Sequence, residues 1–191
     1  MSKKFKFIFL LIFINISSIH SDEYLEKWFS SMSGQFIGII ESENNEQLFE
    51  DLRLLINKNF AINSISLSLI GRLVNKNSVN DLDRYKKAFL DHLTRNLYEL
   101  VENYDGQTIE LEKIEEDTNG YLIYSILKYK EKSYSIVWRV GMIENIPYVL
   151  DIIIENSSYY VTKKSEFSNL LRQSKGSLIE LTNKLEEGNN R

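Results

Sequence analysis

Few side chains in this sequence are of the kinds that do nucleophilic, metal or proton-transfer chemistry, and their positions limit them further. The 191 residues contain no cysteine, which excludes thiolate metal sites and cysteine nucleophiles. Of two histidines, His20 falls in an N-terminal leader, so His92 is the one histidine beyond it and histidine-rich metal clusters are excluded. No G-x-S-x-G elbow, G-x-x-x-x-G-K-S/T loop or H-E-x-x-H pair occurs. Glu115-Glu116-Asp117 is a carboxylate run at an expected turn, where it reads as a hydrated loop rather than a metal or acid–base site. Acid–base work on a small apolar substrate would have to draw on Asp151, Tyr148 or His92. Asp151 stands in an otherwise apolar strand, as a pocket acid with a raised pKa or as the partner of Arg139 on the neighbouring strand.

These candidates are carried by elements legible in the hydropathy pattern. From Asp22 to Ile40, Tyr24, Trp28, Met32, Phe36 and Ile39 form one helical stripe, with Gly34 and Gly38 beside it. A second helix directs Leu48, Leu52, Leu55 and Ile56 inward, and a third covers Ser64 to Val74. The longest starts at Ser78, where Ser-Val-Asn-Asp resembles a capping box with aspartate in the glutamate position, and runs to about Tyr104. Its stripe is Leu82, Tyr85, Phe89, Leu93, Leu97, Leu100 and Tyr104. After Asp105-Gly106 the period becomes alternating, with strands near 107–115, 121–129, 134–142 and 148–155 joined by short polar turns. Helices over Lys164 to Gln173 and Ser177 to Glu187 close the chain, and the Gly188-Asn-Asn-Arg tail is expected to fray. Helices first, sheet next and helices last define an α+β order: a curved four-stranded antiparallel meander packed with N-terminal and C-terminal helices.

The first residues set Lys3, Lys4 and Lys6 before the apolar run Phe7 to Ile16, the order of a secretory signal peptide, with cleavage expected after Ser21. Residues 1–21 are thus the leader and 22–188 a single domain, comprising helices 22–104, sheet 107–155 and closing helices 164–187. Losing the three leader lysines takes the net charge from −4 to −7, which argues against a nucleic-acid or anionic-membrane partner reached by bulk charge. Without disulfides, stability must come from burying the 43% hydrophobic complement. In the third strand Tyr134, Ile136, Trp138, Val140 and Met142 share a face, and in the fourth Tyr148, Leu150, Ile152 and Ile154 do so. In the second, Leu122, Tyr124 and Ile126 oppose Tyr121, Ile123 and Leu127. A curved sheet of this kind facing a long amphipathic helix makes either a filled core or an apolar cavity, and periodicity does not separate the two.

A resemblance bears on that choice. Trp138-Arg139-Val140, Tyr148-Val-Leu-Asp-Ile-Ile-Ile-Glu155-Asn-Ser-Ser158 and Thr162-Lys-Lys-Ser-Glu-Phe167 together resemble the MlaC, or toluene-tolerance, family of periplasmic phospholipid-binding proteins. Asp151, Glu155, Ser158 and Phe167 match its pattern. Tyr85-Lys-Lys-Ala-Phe89-Leu-Asp-His-Leu93 with Tyr104-Asp-Gly106 is similar to its long helix, and Ile70-Gly71-Arg72 to its Leu-Gly-Arg. The resemblance spans about residues 22 to 187. Leu73-Val74 stands where the family usually has Trp, and Asn156 replaces a glycine after Glu155.

The resemblance implies an apolar pocket between sheet and helices that takes acyl chains and leaves the head group near its mouth. It further implies a shuttle in the periplasm between an inner-membrane ABC transporter/MCE complex and an outer-membrane lipoprotein complex, without enzyme activity or cofactor. The expected lining is Phe89, Leu93, Tyr124, Ile126, Ile136, Trp138, Val140, Leu150, Ile152 and Ile154. A carrier of hopanoid or another apolar ligand is the alternative, since hopanoid-associated relatives share this fold type. Two other classes are an α+β cone enzyme using the acid–base candidates and an interaction module with a solid core.

Overall fold

The computed structural model describes residues 17–42, 47–101 and 104–189. The leader's lysines and apolar run lie outside them, and the first helix, α1 (Ser17–Ile40), begins ahead of the expected cleavage point. Leu25, Phe29 and Met32 form the buried face of α1, whereas Tyr24 is 47% exposed. The expected stripe is therefore corrected by about one residue. Leu25, Phe29, Met32 and Phe36 repeat at 4, 3 and 4, an equally good helical spacing, and the ring of Phe29 meets Trp138 edge-on at 5.5 Å. Gly34 and Gly38 have open space around them and mark no close backbone approach.

Helix α2 (Leu48–Asn59) buries Leu48, Leu52, Leu55 and Ile56, the four expected positions. Helix α3 (Ile62–Ile70) ends at Gly71, whose φ of 50° an ordinary residue adopts at a cost, and a 3₁₀ turn over Gly71–Lys76 continues the chain. Leu73 and Val74, where the family has Trp, pack there against the helical core. Ser78 caps α4 (Val79–Val101): its Oγ accepts from the Asp81 N–H at 3.2 Å and donates to Asp81 Oδ2 at 2.6 Å.

The sheet is an open antiparallel meander in the order β1 (Thr108–Asp117), β2 (Gly120–Tyr129), β3 (Lys132–Ile143), β4 (Ile146–Ile154), β5 (Ser157–Ser158). The fifth strand, absent from the sequence reading, is a two-residue return after the Glu155-Asn156 turn. Both turn residues have positive φ, 47° and 67°, which explains why Asn tolerates a glycine position there. Two register shifts, at Leu111/Lys113 and at Arg139/Val140, are bulges that bend the strands. Each puts residues three apart on one face: Leu111 with Ile114, and Val149 with Ile152. Simple alternation had set Val149 opposite Ile152, whereas Val149 is fully buried on the inner side.

Helix α5 (Tyr159–Gln173) starts five residues ahead of Lys164 because Ser158 caps it, accepting from the Val161 N–H at 3.0 Å. Helix α6 (Leu178–Asn189) includes Gly188 of the expected frayed tail. Asn189 holds that end, donating to the Ala88 carbonyl at 3.1 Å while its own carbonyl accepts from Arg95 at 3.0 Å. Among the described residues, two clusters hold most of the buried apolar side chains. One joins α2 to α6 around Tyr85, Phe89 and Phe167, and the other joins α1 to the sheet around Ile123, Val140 and Val149. Ala61 N–H bonds to the Val149 carbonyl at 3.0 Å, tying the α2–α3 connection to β4.

Candidate functional site

Between the two clusters lies a cavity of about 390 Å³, within the range of sites that enclose small ligands. Its floor is the sheet: Ile109 of β1, Leu127 of β2, Ile136 and Trp138 of β3, and Leu150, Asp151, Ile152 and Ile154 of β4. Helix α4 makes one wall with Phe89, Leu93, Leu97 and Leu100, and α1 closes another with Phe36, Ile37 and Ile40. Trp138 can face this space because its indole N–H is satisfied from within the sheet, donating to Ser125 Oγ at 2.9 Å. Two lining residues are exposed, Leu100 (71%) and Ile154 (45%), so the cavity reaches the surface beside them.

Seven of the ten residues expected to line a pocket are on this wall: Phe89, Leu93, Ile136, Trp138, Leu150, Ile152 and Ile154. Val140 shares their face but is buried in the core cluster beneath α1. The placement of Tyr124 and Ile126 is corrected. Trp138 pairs with Ile123 and Ile136 with Ser125, so the inner positions of β2 are Ile123, Ser125 and Leu127, and Tyr124 and Ile126 point to the other side. There the ammonium of Lys113 sits 4.4 Å from the centre of the Tyr124 ring. Leu97, Leu100, Tyr104 and Phe36 stand on the helical stripes, and their place at the cavity was the step that periodicity did not supply. Phe60, Ile65 and Lys163 carried no sequence signal of a wall position.

The acid–base candidates are not assembled. Asp151 faces Arg139 in register, but Arg139 reaches instead toward Asp117 at 3.9 Å, which corrects the expected ion pair. Both Asp151 oxygens are committed to the start of α5: Ser158 Oγ donates at 2.6 Å and the Tyr160 N–H at 2.8 Å. Tyr148 lies opposite Gly141, near the β3–β4 turn. His92, on α4, meets Lys163 instead, with Nε2 3.2 Å from Lys163 Nζ. Burial and that ammonium hold the imidazole below its ordinary pKa, so it is neutral near pH 7 and its Nε2 accepts a hydrogen bond from the lysine. Glu166 completes the group, 2.7 Å from Lys163. Among the described residues, no group of three or more histidine, cysteine, aspartate or glutamate side chains is placed to hold a metal.

An α+β protein with an apolar cavity between an open sheet and a long helix is the class these features define. The fold is similar to that of the phospholipid-binding protein from Ralstonia solanacearum, whose structure was solved in complex with a phospholipid; the TM-score is 0.67 at 16% identity, covering 88% of this chain and 93% of that one. No curated protein matches the sequence. The family described as MlaC protein matches residues 31–187, and the chain belongs to that family.

Proposed function

We propose that this protein is a phospholipid-binding shuttle of the periplasm, working within an ABC-type intermembrane lipid transport system. The observation that carries the reading is the apolar cavity, walled by aliphatic and aromatic side chains from α1, α4 and the sheet. Family membership and the likeness to a protein crystallised with phospholipid support the choice of ligand. Each acyl methylene moved from water into such a cavity is stabilised by about 0.8 kcal/mol, so the carrier's task is burial and needs no nucleophile. In this reading the leader directs export, and the inner-membrane ABC transporter/MCE complex and an outer-membrane lipoprotein complex are the donor and acceptor.

A charge on the cavity floor tests the site. Ile152→Lys puts an ammonium where acyl chains would lie, at a strand position that Trp138 pairs with across β3 and β4. Uptake of a fluorescent phospholipid is expected to fall at least about tenfold while circular dichroism stays that of the parent protein. Undiminished uptake by a folded variant would move the ligand elsewhere.

A further inference from the structure

Lys163 is out of character with its surroundings. It projects from α5 onto a cavity wall that is otherwise almost entirely apolar, and the residue is only 9% exposed. Among the described residues on that wall it is the sole cation. A buried ammonium is costly unless paired, and Lys163 has Glu166 at 2.7 Å and the neutral ring of His92 at 3.2 Å. Packing alone would be met by a methionine or leucine. The Glu166 side chain is more exposed than that of Lys163, 38% against 11%, so the ammonium is the deeper of the two charges.

A second donor stands beside it. Tyr159 lines the cavity, and its ring centre is 5.4 Å from Lys163 Nζ. Its hydroxyl accepts from Asn96 Nδ2 at 3.4 Å, and its own hydrogen meets no acceptor among the described residues. Burial raises the Tyr159 pKa, so this O–H remains a donor. The one acid of the wall, Asp151, has each oxygen occupied by a donor from the start of α5 and offers little competing attraction. The position also fits. Asn96 is one turn from the exposed Leu100 on α4, and Tyr159 follows the turn that begins after the exposed Ile154, so the group sits just inside the opening.

We infer that Lys163 Nζ and the Tyr159 hydroxyl form an oxyanion subsite inside the cavity mouth, which takes the phosphodiester of the lipid head group while the acyl chains fill the apolar space beyond. The inference rests on the lipid-binding reading and adds a preference to it: an anionic phosphate is chosen over an uncharged lipid with the same chains. Charge-assisted hydrogen bonds at a site shielded from water are strong enough for a tenfold preference.

Competitive displacement of a fluorescent lipid from the full mature protein tests this, with phosphatidylglycerol, diacylglycerol of identical chains and the free fatty acid as competitors. The parent protein is expected to prefer phosphatidylglycerol over diacylglycerol by about tenfold or more. Lys163→Met should bring that ratio close to one, Lys163→Arg should retain most of it, and Tyr159→Phe should reduce it by a smaller factor. Because the readout is a ratio within each variant, partial loss of folded protein does not imitate the effect. An unchanged ratio in Lys163→Met, or a loss confined to the fatty acid, would overturn the subsite. A parent protein that binds none of the lipids would instead overturn the lipid-binding reading itself.

Discussion

His92 and Lys163 meet on facing sides of α4 and α5, and their contact makes the fold sensitive to pH. In an unfolded chain the imidazole titrates near pH 6.5, whereas here burial first, and the Lys163 ammonium second, hold its pKa lower, with Glu166 and Glu99 opposing. Between the two values the unfolded chain binds more protons, so stability is full above about pH 6.5 and declines as pH falls through the folded value. The thermal midpoint should therefore drop on going from about pH 8 to about pH 5, and His92→Gln should flatten the lower part of that profile. A variant with the parent's slope would assign the acid sensitivity to other groups. Residue types made the absence of catalytic motifs legible, because motif chemistry is local in sequence. The commitments of Asp151 were not, since Ser158 and the Tyr160 N–H reach it only after the β4–β5 turn has folded back.

At the scale of elements, helix positions and the meander could be read directly, because amphipathic stripes and alternation are strong local signals. Which face of each strand points inward could not be read from apolar content, since β2 has apolar residues on both faces. The turn held the answer. Tyr129 pairs with Lys132 across a two-residue turn, and counting back along both strands sets Trp138 opposite Ile123 and Ile136 opposite Ser125. The two bulges were beyond such counting, because nothing in a residue's type marks it as the extra one. This register has a thermodynamic consequence. Ile123 is fully buried between sheet and α1, so Ile123→Ala should cost about 3 kcal/mol, while Ile126→Ala on the half-covered outer face should cost about 1 kcal/mol. Chemical denaturation of the two variants measures both, and equal costs would contradict the assigned faces.

At the scale of the molecule, two apolar clusters pack separately, and the space between them is the cavity. That division was invisible to periodicity, which says that a side chain leaves water but not whether it meets a neighbour or an empty volume. Seven of the ten expected wall residues lie there, on the stripe of α4 and the inner faces of β3 and β4, whereas the α1 contribution depended on a helix rotation that the sequence left ambiguous. In the proposed function that space holds a phospholipid. Mass spectrometry of the solvent extract from natively purified mature protein tests it most directly. Phospholipid is expected in stoichiometric amount, and is expected to be lost in Ile152→Lys; protein repeatedly free of lipid, and unable to take up labelled phospholipid, would overturn the lipid-carrier function.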